Sequence, residues 1–122
     1  MTEIKIQTGV FDDVVWIVAP CDHKQAVEWL KKKKITDFDH IDEYKEARGM
    51  CARRTKRSAS IIFLKKRPVD ADTIALLCHE AIHAANQIMS DSGVRDKGDE
   101  ATCYLAHFIV RKALGVFLKK VA

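Results

Sequence analysis

Paired cysteines are missing from this chain. Cys21, Cys51, Cys78 and Cys103 are scattered with no C-x-x-C spacing, which supplies neither a disulfide framework nor a thiol redox motif. No basic start leads into an apolar leader either, so we expect a reduced, cytoplasmic protein. Long apolar runs are absent: none approaches the ~20 residues that span a bilayer. The expectation is a soluble chain with no membrane partner. Repeats, low-complexity tracts and linkers are also lacking, so nothing divides residues 1–122. They read as one domain, large enough to bury a core without a structural metal. Aromatics do not interleave with the basic segments in the manner of single-strand binders. Those segments are Lys31 to Lys34, Arg53-Arg54 with Lys56-Arg57, Lys65-Lys66-Arg67 and Lys119-Lys120, and they leave a net charge of +4. Such clusters permit contact with nucleic acid or an acidic partner, but for so small an excess a solvated face is the simpler reading.

What is present alternates between strand and helix patterns. Residues 3 to 8 alternate polar and apolar and stop at Gly9, which fits a half-buried strand. Asp13 to Ala19 is a continuous apolar, β-branched run ended by Pro20, the pattern of a central strand. Asp22 with Gln25 three residues later forms a capping box for a helix whose stripe is Ala26, Val27 and Leu30. Lys31 to Lys34 suit its C-terminal end. Residues 35 to 47 fit a loop or a short helix. Met50 to Arg57 and Ser60 to Lys65 read as two strands joined as a hairpin near Lys56 to Ala59. After Pro68, Asp70 or Asp72 caps a helix over about 71–90. A polar loop from Ser90 to Gly98 ends it, and a last helix runs from about Asp99 to Lys120.

The middle of the first long helix reads His79-Glu80-Ala81-Ile82-His83. Histidines four apart on an α-helix share a face, so two imidazole nitrogens can converge on one zinc ion. Glu80, about 100° round the helix, is suited to reach a water beside the metal instead of the metal itself. With five histidines and six glutamates, chance gives H-E-x-x-H in roughly one such chain in a hundred. The flanks are apolar nearly all round, and ionisable groups on a buried helix need a partner that a cation can supply.

A catalytic zinc usually has three protein ligands, so a further donor is expected downstream. Glu100 opens the last helix, and Tyr104, His107 and Arg111 fall on its stripe, within about 60° at 100° per residue. Packed against the motif helix, that stripe is expected to deliver Glu100 to the metal, with His107 as rival and Asp91, Asp96 and Cys103 as weaker ones. Cys78 and Cys103 are otherwise expected in the core, where free cysteine packs as a small hydrophobe.

A strand, an H-E-x-x-H helix and a second helix opening on glutamate resemble the zincin metallopeptidases of the gluzincin kind, reduced to a minimal domain. The segment Asp99-Glu100-Ala101-Thr102-Cys103-Tyr104-Leu105 is also similar to the D/E-E-A-x-x-Y-L stretch of small zincin-like proteins encoded by bacteriophages. Asn86 and Met89 exclude the metzincin extension. The resemblance covers residues 60 to about 110. It implies an α+β fold: a small zincin-like domain with a mostly antiparallel sheet of about four strands on the H-E-x-x-H helix and the C-terminal helix. It further implies zinc on His79, His83 and Glu100, with Glu80 as general base on the fourth-site water and Tyr104 or His107 as donor to the oxyanion. The strand before the motif helix, with Ile61, Ile62, Phe63 and Leu64, would pair with extended substrate.

Three functions follow. The first is a zinc-dependent metallopeptidase acting on a peptide or protein. The second is a catalytically inactive zincin-fold binding or inhibitory protein, which small size favours because few residues remain to wall a cleft. The third is a nucleic-acid-associated protein using the basic clusters.

Overall fold

The computed structural model of the chain describes residues 1–9, 13–55, 59–93 and 99–120. The elements in order are β1 (Thr2–Gln7), β2 (Val14–Ala19), α1 (His23–Lys32), a 3₁₀ helix (Ile41–Lys45), β3 (Gly49–Arg53), β4 (Ala59–Leu64), α2 (Ala71–Ser92), α3 (Glu100–Phe117) and a closing 3₁₀ turn (Leu118–Lys120). The strands form one sheet in the order β1-β2-β4-β3. β1 with β2 and β3 with β4 are antiparallel, whereas β2 with β4 is parallel. The sheet is therefore mixed. A parallel neighbour requires the chain to return to the starting end of the sheet: α1 and the following 3₁₀ helix carry it across to the far edge, and β3 then runs back to the end where β4 begins.

Local chemistry fixes the helix starts. Asp22 and Gln25 exchange hydrogen bonds at the head of α1, with Gln25 N–H donating to Asp22 Oδ1 at 2.8 Å and Asp22 N–H to Gln25 Oε1 at 3.0 Å. Asp70 and Thr73 form the same box on α2. Gly93, at φ 72°, closes α2 in the left-handed conformation that side chains resist. The helix runs two residues beyond its expected end at 90. The turn of the β3–β4 hairpin at 56–58, and residues 94–98 of the expected polar loop, lie outside the described residues.

Both sheet faces are covered. Ile4, Ile6, Val15, Ile17, Ile62 and Leu64 point to one face and meet α2 and α3; Val18, Ile61, Phe63, Ala52 and Met50 point to the other and meet Trp29 and Leu30 of α1 and Tyr44 of the 3₁₀ helix. Ile61, Ile62, Phe63 and Leu64 are at most 1% exposed. A strand buried on both faces needs no polar alternation, which is why β4 reads as an unbroken apolar run. α2 lies over β3 and β4, and α3 lies beside it on the β1 side. α2 thus has the sheet beneath it, an open sheet edge on one flank and α3 on the other. Among the described residues no helix is long and apolar enough to cross a membrane.

Candidate functional site

His79 and His83 stand on the water-facing side of α2, both exposed, with their Nε2 atoms 3.2 Å apart and their rings at 78°. These positions suit an Nε2–H···Nε2 hydrogen bond in one tautomer, and equally two lone pairs aimed at one ion if both rings carry the proton on Nδ1. For metal–nitrogen bonds of 2.0–2.1 Å, a 3.2 Å separation subtends about 100–106° at the ion, near the tetrahedral angle. The two Nε2 atoms are brought together as the i, i+4 spacing predicts.

Glu80 differs from its neighbours in burial. It is 6% exposed, and its Oε1 lies 4.0 Å from His79 Nε2. Burial pushes its carboxyl above the ordinary glutamate range, and positive charge on His83 and His79 opposes the shift. Such a carboxyl is a stronger base than a solvated one. Near it stands Cys51, whose thiol burial pushes up to about 12 with a further contribution from the Glu80 charge; farther along α2, Gln87 Oε1 lies 3.8 Å from Cys51 Sγ and accepts a hydrogen bond from Ser60 Oγ at 2.9 Å.

His79 and Glu80 open onto a shallow groove of about 560 Å³, lined also by Glu46, Arg48, Gly49, Asp72, Ala75 and Leu76. Arg48 pairs with Asp72 across one end. The groove runs between α2 and the outer edge of β3. Arg48 and Arg54 bond inward to β4, so by alternation Gly49, Cys51 and Arg53 turn their main-chain groups outward. Arg53 N–H donates to Asp39 Oδ1 at 3.1 Å, and Gly49 lines the groove.

This arrangement corrects several sequence expectations. Ile61, Ile62, Phe63 and Leu64 cannot be a substrate-pairing edge, because β4 is hydrogen-bonded to β2 on one side and β3 on the other. The edge strands are β1 and β3, and it is β3 that borders the motif helix. Glu100 does not join the histidines: among the described residues no group of three or more His, Cys, Asp or Glu side chains is placed to hold a metal. The reason is the layering. Contacts from Asp72, Leu76, Gln87 and Asp91 of α2 to β3 put the histidine pair toward the β3 flank, about 20° from Asp72 on the helix wheel, whereas α3 occupies the opposite flank. Tyr104 and His107 likewise face solvent on α3, Tyr104 being 70% exposed, and line a separate groove with Phe108 and Arg111. That groove is distinct from the one onto which Glu80 opens. Asp91 is held by Arg53, Asp96 lies outside the described residues, and Cys103 is exposed while Cys78 is half-buried, so neither is a core residue.

Nothing known matches: comparison with protein-family models, curated proteins and solved structures finds no similar protein. The groove residues Glu46, Arg48 and Gly49 escaped the sequence reading because they lie in a segment well before the motif, and only the packing of α2 beside β3 brings them to the helix that carries Asp72, His79 and Glu80.

Proposed function

We propose that the chain is a metal-dependent hydrolase of zincin-like character, cleaving a peptide bound along the groove between β3 and α2. The observation that carries this is the 3.2 Å separation of His79 and His83 Nε2 beside a buried glutamate of raised basicity. His79 and His83 would hold zinc, which when bound supplies a Lewis acid for carbonyl polarisation. An extended peptide adds as a further strand, its main chain bonding to the outward N–H and C=O groups of Gly49 and Cys51. That docking sets a scissile carbonyl over the histidine pair. Glu80 then takes the proton of the attacking water on its carboxylate oxygen and returns it to the leaving amine. Its burial keeps that oxygen poorly solvated and therefore ready to accept.

Glu80→Gln tests the reading. The zinc-loaded parent, incubated with a mixed peptide library and followed by mass spectrometry, should yield products that the variant forms ~10²–10⁴-fold more slowly. A variant that cleaves as fast as the parent removes Glu80 from the chemistry.

One observation favours a second reading, a binding or inhibitory protein that takes up metal without turnover: the described residues give the histidine pair no third protein donor. Zinc binding with no cleavage of any library peptide would support it. The nucleic-acid reading has less behind it. Arg53 and Arg54 are engaged by Asp91 and Asp37, Lys33 by Glu3 at 2.6 Å, and the basic segments lie on different elements; Lys56 and Arg57 fall outside the described residues. Steeply salt-dependent binding of DNA or RNA would revive it.

A further inference from the structure

The stripe expected to face the metal instead faces water, and its composition assigns it another use. Glu100, Tyr104, His107 and Arg111 are all exposed on α3, on the flank of α2 away from the β3 groove. Tyr104, His107, Phe108 and Arg111 line a depression of about 220 Å³. Each other described arginine is engaged: Arg48 by Asp72, Arg53 by Asp91, Arg54 by Asp37 and Arg67 by the Phe117 carbonyl. Arg111 has no ion pair among the described residues, and nor does Glu100. The two stand about 16 Å apart along one helix and cannot reach each other. An aromatic ring 70% exposed between an unpaired acid and an unpaired arginine has the composition of an interface anchor with a polar rim.

The order of the stripe names the partner. Its spacings, four, three and four residues, read the same in both directions and are those of a coiled-coil seam. A second α3 laid antiparallel therefore sets Glu100 opposite Arg111 and Tyr104 opposite His107, and two-fold symmetry makes each contact twice. We propose that this face joins two copies of the chain in an antiparallel, isologous dimer. The β3 groove of each copy stays open, because it lies across α2 from the seam.

Sedimentation velocity on the full chain between about 10 μM and 1 mM, the range over which an association of modest strength is visible, reads the equilibrium directly. The expected result is a reversible monomer–dimer system. Arg111→Glu, which replaces two attractions by two repulsions, should raise the dissociation constant at least ~10-fold. Tyr104→Ala should also weaken it. The double exchange Glu100→Arg with Arg111→Glu should restore association, because the antiparallel register pairs the same two positions with signs reversed. All four positions are exposed, so circular dichroism should register no loss of helix. A chain that stays monomeric throughout, a dimer indifferent to Arg111→Glu, or a double exchange that fails to restore association overturns the proposal.

Discussion

Adding zinc should raise the melting temperature by a fixed amount per decade of free metal. The two imidazole nitrogens already stand 3.2 Å apart, so uptake requires no backbone movement, and the unfolded chain lacks the pairing. A ligand that binds only the folded state stabilises it by RT ln(1 + [L]/Kd), ~1.4 kcal/mol for each decade above Kd. For 122 residues the entropy of unfolding near the midpoint is ~260 cal/mol/K. The slope is therefore ~5 °C per decade, whatever the value of Kd. Differential scanning fluorimetry in zinc buffers measures it. His83→Ala should give a flat line. Glu100→Ala should keep the parent's slope, because α3 sits on the other flank of α2. No rise up to ~100 μM free zinc, or an equal rise in His83→Ala, would refute the metal reading of the pair. A slope abolished by Glu100→Ala would refute the layering argument instead.

Two further outcomes test the fold around the site. The Asp70 carboxyl is held below its ordinary value of 3.8 by the backbone N–H and hydroxyl of Thr73, so its contribution is present above the unfolded value and lost as pH falls through the folded one. Asp70→Ala should lower the urea midpoint at pH 7, and the difference from the parent should shrink below pH 4; a difference that persists unchanged at low pH would discard the charged cap. Burial pushes the Cys21 thiol up to about 11 and that of Cys51 up to about 12, leaving a thiolate fraction at pH 8 of only ~10⁻⁴ to 10⁻³. Iodoacetamide should therefore label exposed Cys103 in the native protein and reach Cys21 and Cys51 only after denaturation, read by peptide mapping. Labelling of Cys51 at the rate of Cys103 would mean that α2 does not cover β3 as described.

The elements written in contiguous residues were legible before any coordinates. The box of Asp22 and Gln25, an aspartate cap on α2 (Asp70 of the two candidates Asp70 and Asp72), the start of α2 and the i, i+4 approach of His79 to His83 depend on groups within four residues of one another, which a helix brings together whatever surrounds it. The hairpin of β3 and β4 needed only a short connection. The stripe of α1 was legible in part: Ala26 and Leu30 are buried as expected, but Trp29, not Val27, completes the buried set.

What the sequence alone did not decide is everything set by pairing between distant segments. A run such as Ser60 to Leu64 looks the same whether it lies at an edge or in the middle of a sheet; its parallel pairing with β2, some 45 residues earlier, placed it in the middle and left β3 open. The stripe of Glu100, Tyr104, His107 and Arg111 was equally clear as a stripe, but helical periodicity specifies only which residues share a face, not what that face meets. Burial of Leu105, Ala106, Ile109, Ala113 and Phe117 against the sheet and α2 turned the polar stripe outward, because apolar area gains more from leaving water than Glu100 and Arg111 would gain from entering the core. The histidine pair was therefore fixed by local geometry. Its groove, the lack of a third donor among the described residues and the face left free on α3 were fixed by the packing of the sheet and helices.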